Sequence, residues 1–266
     1  MSVESDELIR LTRDGNVATI WLDRPSKRNA MNYAMWASLE QFSLELSADP
    51  DVRVVVLRGS GPHFCAGADI TQLNVARDEG QRQFSQVVGA AESALAALPK
   101  PTVAFISGDC IGGGCSIAID CDLRIAMTDA RFGITPARLG IVYPSAALER
   151  ATHLLGPAAT KRLLYTGELI GAYEAHRLGL VDEVVGPANA EARLAALTAT
   201  LGARSLLTQA ATKAMVADVV AHGEVRPAVD AYWRDVVARA SDSAEGITAF
   251  VEKRPPRFTW TGPDDA

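Results

Sequence analysis

TVAFISGDCIGGGCSIAID, residues 102–120, is the stretch that decides the fold class. Thr102-Val103-Ala104-Phe105-Ile106 is an apolar run of strand length that stops at Ser107-Gly108, and Gly112-Gly113-Gly114 then opens a helix expected to reach Asp120. Strand, glycine loop and helix in that order form the unit of an α/β protein. The same order recurs upstream. Residues 52–57, with Val54-Val55-Val56, read as a buried strand feeding Gly59-Ser60-Gly61-Pro62, and residues 81–98 read as helix-rich, closed by Pro99-Lys100-Pro101. Further back, residues 17–22 read as a strand and Asp23-Arg24-Pro25 as a turn. A helix over residues 33–47 follows, with apolar positions Met35, Leu39, Phe42 and Leu46.

Downstream of the triple glycine, residues 123–126 and 131–134 are short strands. From Ser145 the pattern turns helical apart from residues 181–185, with breaks at Gly156-Pro157 and Gly202. No sequence repeat of fixed period is visible. No polar linker separates the α/β part from the helices, so the two are expected to pack together, with a soft boundary near residue 200. Order is expected to end around Arg254-Pro255-Pro256, and residues 261–266 read as a disordered tail.

The composition is globular: 266 residues, 48% hydrophobic and 22% charged, suffice for a substantial core. No apolar run is long enough for a bilayer, and MSVESDELIR lacks both the basic start and the apolar stretch of a secretory signal, so a cytoplasmic protein is expected. The formal charge of −6, with Lys and Arg scattered, speaks against a nucleic-acid footprint. Cys65, Cys110, Cys115 and Cys121 form no C-x-x-C pair and have apolar or glycine neighbours, so buried thiols are expected instead of disulfides or a metal.

Two loops carry the chemistry. Phe64-Cys65-Ala66-Gly67-Ala68-Asp69-Ile70 follows a strand, and its small residues let a ligand approach main-chain N–H groups. Gly112-Gly113-Gly114 repeats that arrangement at a helix start, where N–H groups have no intrahelical acceptor and sit at the positive end of the dipole. Together they can aim donors at one developing negative oxygen. Either loop alone is equally well a tight turn. A Walker A loop would need Lys-Ser or Lys-Thr after its last glycine, and Cys115-Ser116 stands there. G-x-G-x-x-G spacing is also missing.

Over almost its whole length the sequence resembles the crotonase, or enoyl-CoA hydratase/isomerase, family. The marks are Arg24-Pro25 through Asn29-Ala30-Met31, residues 64–70, residues 112–115, Cys121-Asp122, Phe132-Gly133, Leu139-Gly140, residues 172–184 and Phe250-Val251-Glu252-Lys253-Arg254. The resemblance implies an α/β spiral of repeated ββα units over residues 1–200. For residues 201–266 it implies a helical oligomerisation region that builds trimers, often paired as hexamers. It also implies a coenzyme A thioester as substrate, no tightly bound cofactor, and enolate chemistry, with the N–H groups of Ala68 and Gly113 as oxyanion donors. Arg28, Ala30, Ala66 and Ile70 match positions along the CoA arm and adenine pocket. Phe250 and Lys253 match a C-terminal position that reaches CoA, sometimes from a neighbouring subunit; read by itself, Lys253 is a solvated helix-end lysine.

Hydratases of this family use two glutamates. Counting from the glycines, Ser116 stands at the first position, and counting between Phe132-Gly133 and Leu139-Gly140, Pro136 stands at the second. Ordinary hydration is therefore not expected. Tyr143 resembles a tyrosine of members that decarboxylate malonyl-type thioesters, although those members can carry histidine where Ala68 stands; its bland reading is packing beside Pro144. Decarboxylation makes the enolate without a strong base. A catalytically silent acyl-CoA binder is the alternative. His63, Glu149 and His153 read as surface groups, Asp69 as a local loop acceptor, and Asp120 and Asp122 as helix-end or turn residues.

Overall fold

The computed structural model describes residues 8–72 and 82–262. Most of residues 71–80, expected to help form an acyl pocket, and residues 263–266 of the expected tail lie outside the described residues. β1 (Ile9–Asp14) and β2 (Val17–Leu22) pair antiparallel through a two-residue turn in which Gly15 adopts φ +54°. On β2, Ala18, Ile20 and Leu22 are buried and alternate with half-buried residues, as a strand with one face on the core requires.

β3 (Val54–Gly59) and β4 (Thr102–Ile106) are apolar on both faces because both faces are covered. Val55, Leu57, Ala104 and Ile106 enter the main core, while Val54, Val56, Val103 and Phe105 enter a second one behind the sheet. With β6 (Leu123–Met127) and β9 (Glu183–Val185) they complete a six-stranded sheet ordered β1-β2-β3-β4-β6-β9, parallel from β2 onward.

A second ladder runs alongside: β5 (Asp109–Ile111), β7 (Arg131–Gly133) and β8 (Ile170–Gly171), extended by single bridges Cys65↔Cys110 and Met31↔Ala68. Successive turns of chain place one segment in each ladder and then a helix. The helices are α1 (Tyr33–Ala48), α2 (Phe84–Ala96), α3 (Gly113–Asp120) and α4 (Ser145–Thr166), the last kinked where Gly156 takes φ 74°. This is the expected α/β spiral of ββα units. α5 (Ala172–Arg177) leads to β9, and α6 (Pro187–Gly202) packs Ala190 and Leu194 on the back of the sheet. α7 (Leu206–His222) and α8 (Pro227–Arg239) share a small core of Leu207, Ala210, Trp233 and Val236, and α9 (Asp242–Glu252) follows.

Three strands were not anticipated: β1, whose inward positions alternate with Arg10, Thr12 and Asp14, and β5 and β8, too short for a pattern. The strand expected from residue 52 starts at Val54, and the helix expected over residues 81–98 is α2, fixed by a reciprocal Gln83–Gln86 capping box. Order does not stop at Arg254. That residue pairs with Glu245 at 2.7 Å, Thr259 N donates to Asp242 at 3.0 Å, and Trp260 packs edge-on to Trp233 at 6.3 Å. Among the described residues no helix is long and apolar enough to cross a membrane.

Candidate active site

The second ladder sets the two glycine loops side by side. Met31 N donates to Gly67 O at 2.8 Å and Asp69 N donates to Met31 O at 2.8 Å, so the residue between, Ala68, turns its own N–H away from the ladder. Cys65 N donates to Asp109 O and Ile111 N donates to Cys65 O, both at 2.9 Å, which ties this loop to the chain entering α3. Gly67 (φ 103°) and Gly112 (φ 55°) occupy left-handed backbone that side chains rarely adopt. A Cβ on Gly113 would lie 3.3 Å from Ala68 N, and one on Gly67 would lie 3.5 Å from Gly113 N. The two N–H groups are therefore neighbours. Gly113 is the first residue of α3, and among the described residues neither its N–H nor that of Ala68 has an acceptor.

One helical turn beyond Gly113 stands Ser116, 3% exposed, and its hydroxyl donates to Glu92 Oε1 of α2 at 2.5 Å. The Tyr143 hydroxyl is buried beside Ser116 without completing a hydrogen bond. Burial pushes its phenol far up, so it is a neutral OH group. Around Glu92 lies a buried charged group. Arg150 Nη1 of α4 is 3.0 Å from Asp120 Oδ1 and 3.9 Å from Glu92 Oε2, but no oxygen of Asp120 makes an aligned hydrogen bond. Burial raises both carboxyls; the mutual repulsion raises Asp120 further and Arg150 opposes the rise in each. Asp120, 5% exposed, is the last residue of α3, as expected, and is also a member of this cluster.

Glu92 was missed by sequence reading. Its signal was present: it falls on the apolar stripe of α2, among Val87, Ala91 and Leu95, where a carboxylate has no reason to be unless it has a partner. Pro136 is buried and opens a short 3-10 turn. Asp122 accepts from Thr102 N at 2.8 Å and pairs with Lys213 at 2.9 Å, a structural turn residue.

At the mouth, Arg28 is left-handed (φ 49°), its carbonyl accepts from Ala66 N at 2.9 Å, and its exposed guanidinium is 3.1 Å from the buried Asp109. Arg131 reaches the same carboxylate at 2.6 Å, and His63 Nδ1 accepts from Asp109 N at 3.0 Å. Ala30 O accepts from Arg24, whose other partner is Asp69 at 2.8 Å; Asp69 also accepts from Thr71 N, as a local loop acceptor should. Ile70 is 63% exposed at the end of the loop. Arg28, Ala30, Ala66 and Ile70 are thus collected around the first loop. Phe250 is 85% exposed near the end of α9 and Lys253 is its exposed left-handed cap; among the described residues neither makes a side-chain hydrogen bond or ion pair. Glu149 and His153 are exposed on α4. All four cysteines are free and buried, and burial pushes Cys65 and Cys121 up to about 12.

Residues 12–261 match the family model described as enoyl-CoA hydratase/isomerase. A putative enoyl-CoA hydratase of Thermus thermophilus is 36% identical over 92% of this chain and 98% of its own. The crotonyl-CoA hydratase of Syntrophomonas wolfei is 31% identical over 95% of this chain and 98% of its own. Among solved structures, an enoyl-CoA hydratase/carnithine racemase from Magnetospirillum magneticum superposes with a TM-score of 0.89 at 34% identity, covering 96% of each chain.

Proposed function

This chain belongs to the enoyl-CoA hydratase/isomerase family, and on that premise we propose that it holds the carbonyl oxygen of an acyl-CoA thioester between the N–H groups of Ala68 and Gly113 and stabilises the enolate there. The observation that carries the reading is the pair of adjacent backbone donors with no acceptor among the described residues. Donors fixed in advance cost nothing to reorient as negative charge develops, and one such donor is typically worth about 3–4 kcal/mol. CoA enters as part of the substrate, along Arg28, Ala30, Ala66 and Ile70, with Phe250 and Lys253 contributed from a neighbouring copy of a trimer or hexamer.

The specific reaction we favour is decarboxylation of a malonyl-type thioester. The bond between the α-carbon and the carboxylate breaks, its electron pair passes into the enolate held by the two N–H groups, carbon dioxide leaves, and the α-carbon takes up a proton. Ser116 and Pro136 leave the usual glutamate positions without carboxylates, which this route tolerates and hydration does not. Incubation with crotonyl-CoA, malonyl-CoA and methylmalonyl-CoA tests it: carbon dioxide release from the malonyl-type compounds is expected, and efficient hydration of crotonyl-CoA overturns it. Binding without turnover of any of the three would leave a silent acyl-CoA binder.

A further inference from the structure

Glu92 is the single carboxylate of α2, it is 3% exposed, and its Oε1 receives the Ser116 hydroxyl at 2.5 Å. Ser116 stands three residues after Gly113 in α3, on the helix face beneath the free Gly113 N–H. A polar cluster that serves only packing is closed, with every buried donor and acceptor matched. This one is open: among the described residues the buried Tyr143 hydroxyl has no completed hydrogen bond, and the Asp120–Arg150 ion pair, 3.0 Å apart, makes no aligned one; both lie beside the Glu92–Ser116 pair.

We propose that Glu92 and Ser116 are the proton-transfer pair of this site, Ser116 Oγ facing the α-carbon of the thioester and Glu92 exchanging the proton through it. The inference rests on the acyl-CoA reading above. When an enolate must be protonated, the α-carbon takes the Ser116 proton as Ser116 takes that of Glu92, and solvent restores Glu92; no free alkoxide forms because the two transfers are concerted. With a thioester that has no carboxylate to lose, the same steps run backwards, and the α-proton passes through Ser116 to an ionised Glu92. Ser116 is the group that meets substrate, and Glu92 is a positioning residue that acts through it.

The surroundings suit that task. Burial raises both carboxyls, Asp120 further through the charge of Glu92, and the one cation between them, Arg150, opposes the rise in each. Glu92 is the carboxyl of the two that touches Ser116; burial raises it, and the Ser116 hydroxyl and Arg150 lower it. From α1, packed on α2, the carboxylates Glu40 and Glu45 are held by Arg82 and Arg13. Tyr143 supplies a neutral hydroxyl from the segment before α4.

The test is α-deuterium uptake by propionyl-CoA in heavy water, followed by mass spectrometry, beside calorimetry of propionyl-CoA binding. Wild-type protein is expected to bind and exchange, at a rate that climbs with pH as Glu92 ionises and then levels. Glu92→Gln and, as a variant that removes a single oxygen, Ser116→Ala are expected to bind as wild type does and to lose about 100-fold or more in exchange. In Glu92→Gln the climb with pH disappears, which a merely structural role would not produce. Exchange by both variants at the wild-type rate, or a retained pH profile in Glu92→Gln, overturns the inference. So does binding by wild-type protein without exchange, which leaves the thioester site standing; absence of binding removes both.

Discussion

At Gly113 and Gly114, adjacent in the chain, a methyl group has opposite consequences. A Cβ on Gly113 meets Ala68 N and Trp36 Cζ2, both at 3.3 Å, which neighbours can absorb, but it stands between the two free donors. A Cβ on Gly114 would lie 2.4 Å from the backbone oxygen of Cys65, and main chain cannot move aside. Gly113→Ala is therefore expected to keep the free energy of unfolding within about 1–2 kcal/mol of wild type while abolishing turnover, and Gly114→Ala to lose about 3 kcal/mol or fail to fold. Urea titration beside a turnover assay separates them. The buried thiols predict a second result: Cys65 and Cys121, pushed up to about 12, stay protonated, so native protein leaves them unmodified by a thiol reagent that labels them in urea. The two loops, which the structure sets side by side, were legible in the sequence because runs of small residues after a strand and at a helix start stand out. Glu92 was not, because Ser116 lies 24 residues away and only the packing of α2 on α3 joins them.

At the scale of elements, the end of α1 hangs on a residue from another turn of the spiral. Lys100, 1% exposed, donates to the carbonyls of Leu46 at 2.6 Å and of Asp49, two groups a helix terminus leaves without intrahelical partners. Lys100→Met keeps the stem's volume and orphans both carbonyls, with an expected loss of about 2–4 kcal/mol in urea unfolding. Burial also pulls the ammonium from 10.5 down to about 8. Between those values the unfolded chain binds the proton and the folded chain has released it, so this group makes stability rise as pH climbs from about 8 to 10.5. The rise is expected in wild-type protein and missing from Lys100→Met. The Pro99-Lys100-Pro101 punctuation marked the end of α2 in the sequence but not this second duty. Elements with a continuous apolar run, such as β3 and β4, could be read directly, whereas β5, three residues long, draws its stability from pairing with β7 and left no local pattern. The same limit left the structural repeat visible through the family resemblance and not through any sequence period. Each turn fills its two ladders with different residues, so ββα units recur in space while no period recurs in sequence.

For the molecule as a whole, the distribution of exposed apolar side chains is uneven. α7 shows Val216, Val219 and Val220 to solvent and α9 shows Ile247, Phe250 and Val251, the last two 85% and 73% exposed, more apolar surface than single helices of a monomer usually leave uncovered. Between α7 and α8 a groove of about 620 Å³ is lined by apolar and aromatic residues, Ala217, Val229 and Trp233 among them, and by the charged or titratable Asp218, His222 and Arg226. Further copies of this chain would cover these surfaces, and sedimentation is expected to give a trimer or hexamer. Val216 and Val220 are four residues apart and share a face of α7, so Val216→Asp with Val220→Asp should leave folded monomers. Those monomers also decide the role of the C-terminus. Among the described residues Phe250 and Lys253 make no bond to the first loop, and the proposed function has them reach CoA from a neighbour. Acyl-CoA affinity should then fall on dissociation, and Lys253→Ala should weaken binding in the assembled protein but make no difference in the monomer. Equal affinity in monomer and assembly would confine CoA recognition to Arg28 and the residues around the first loop.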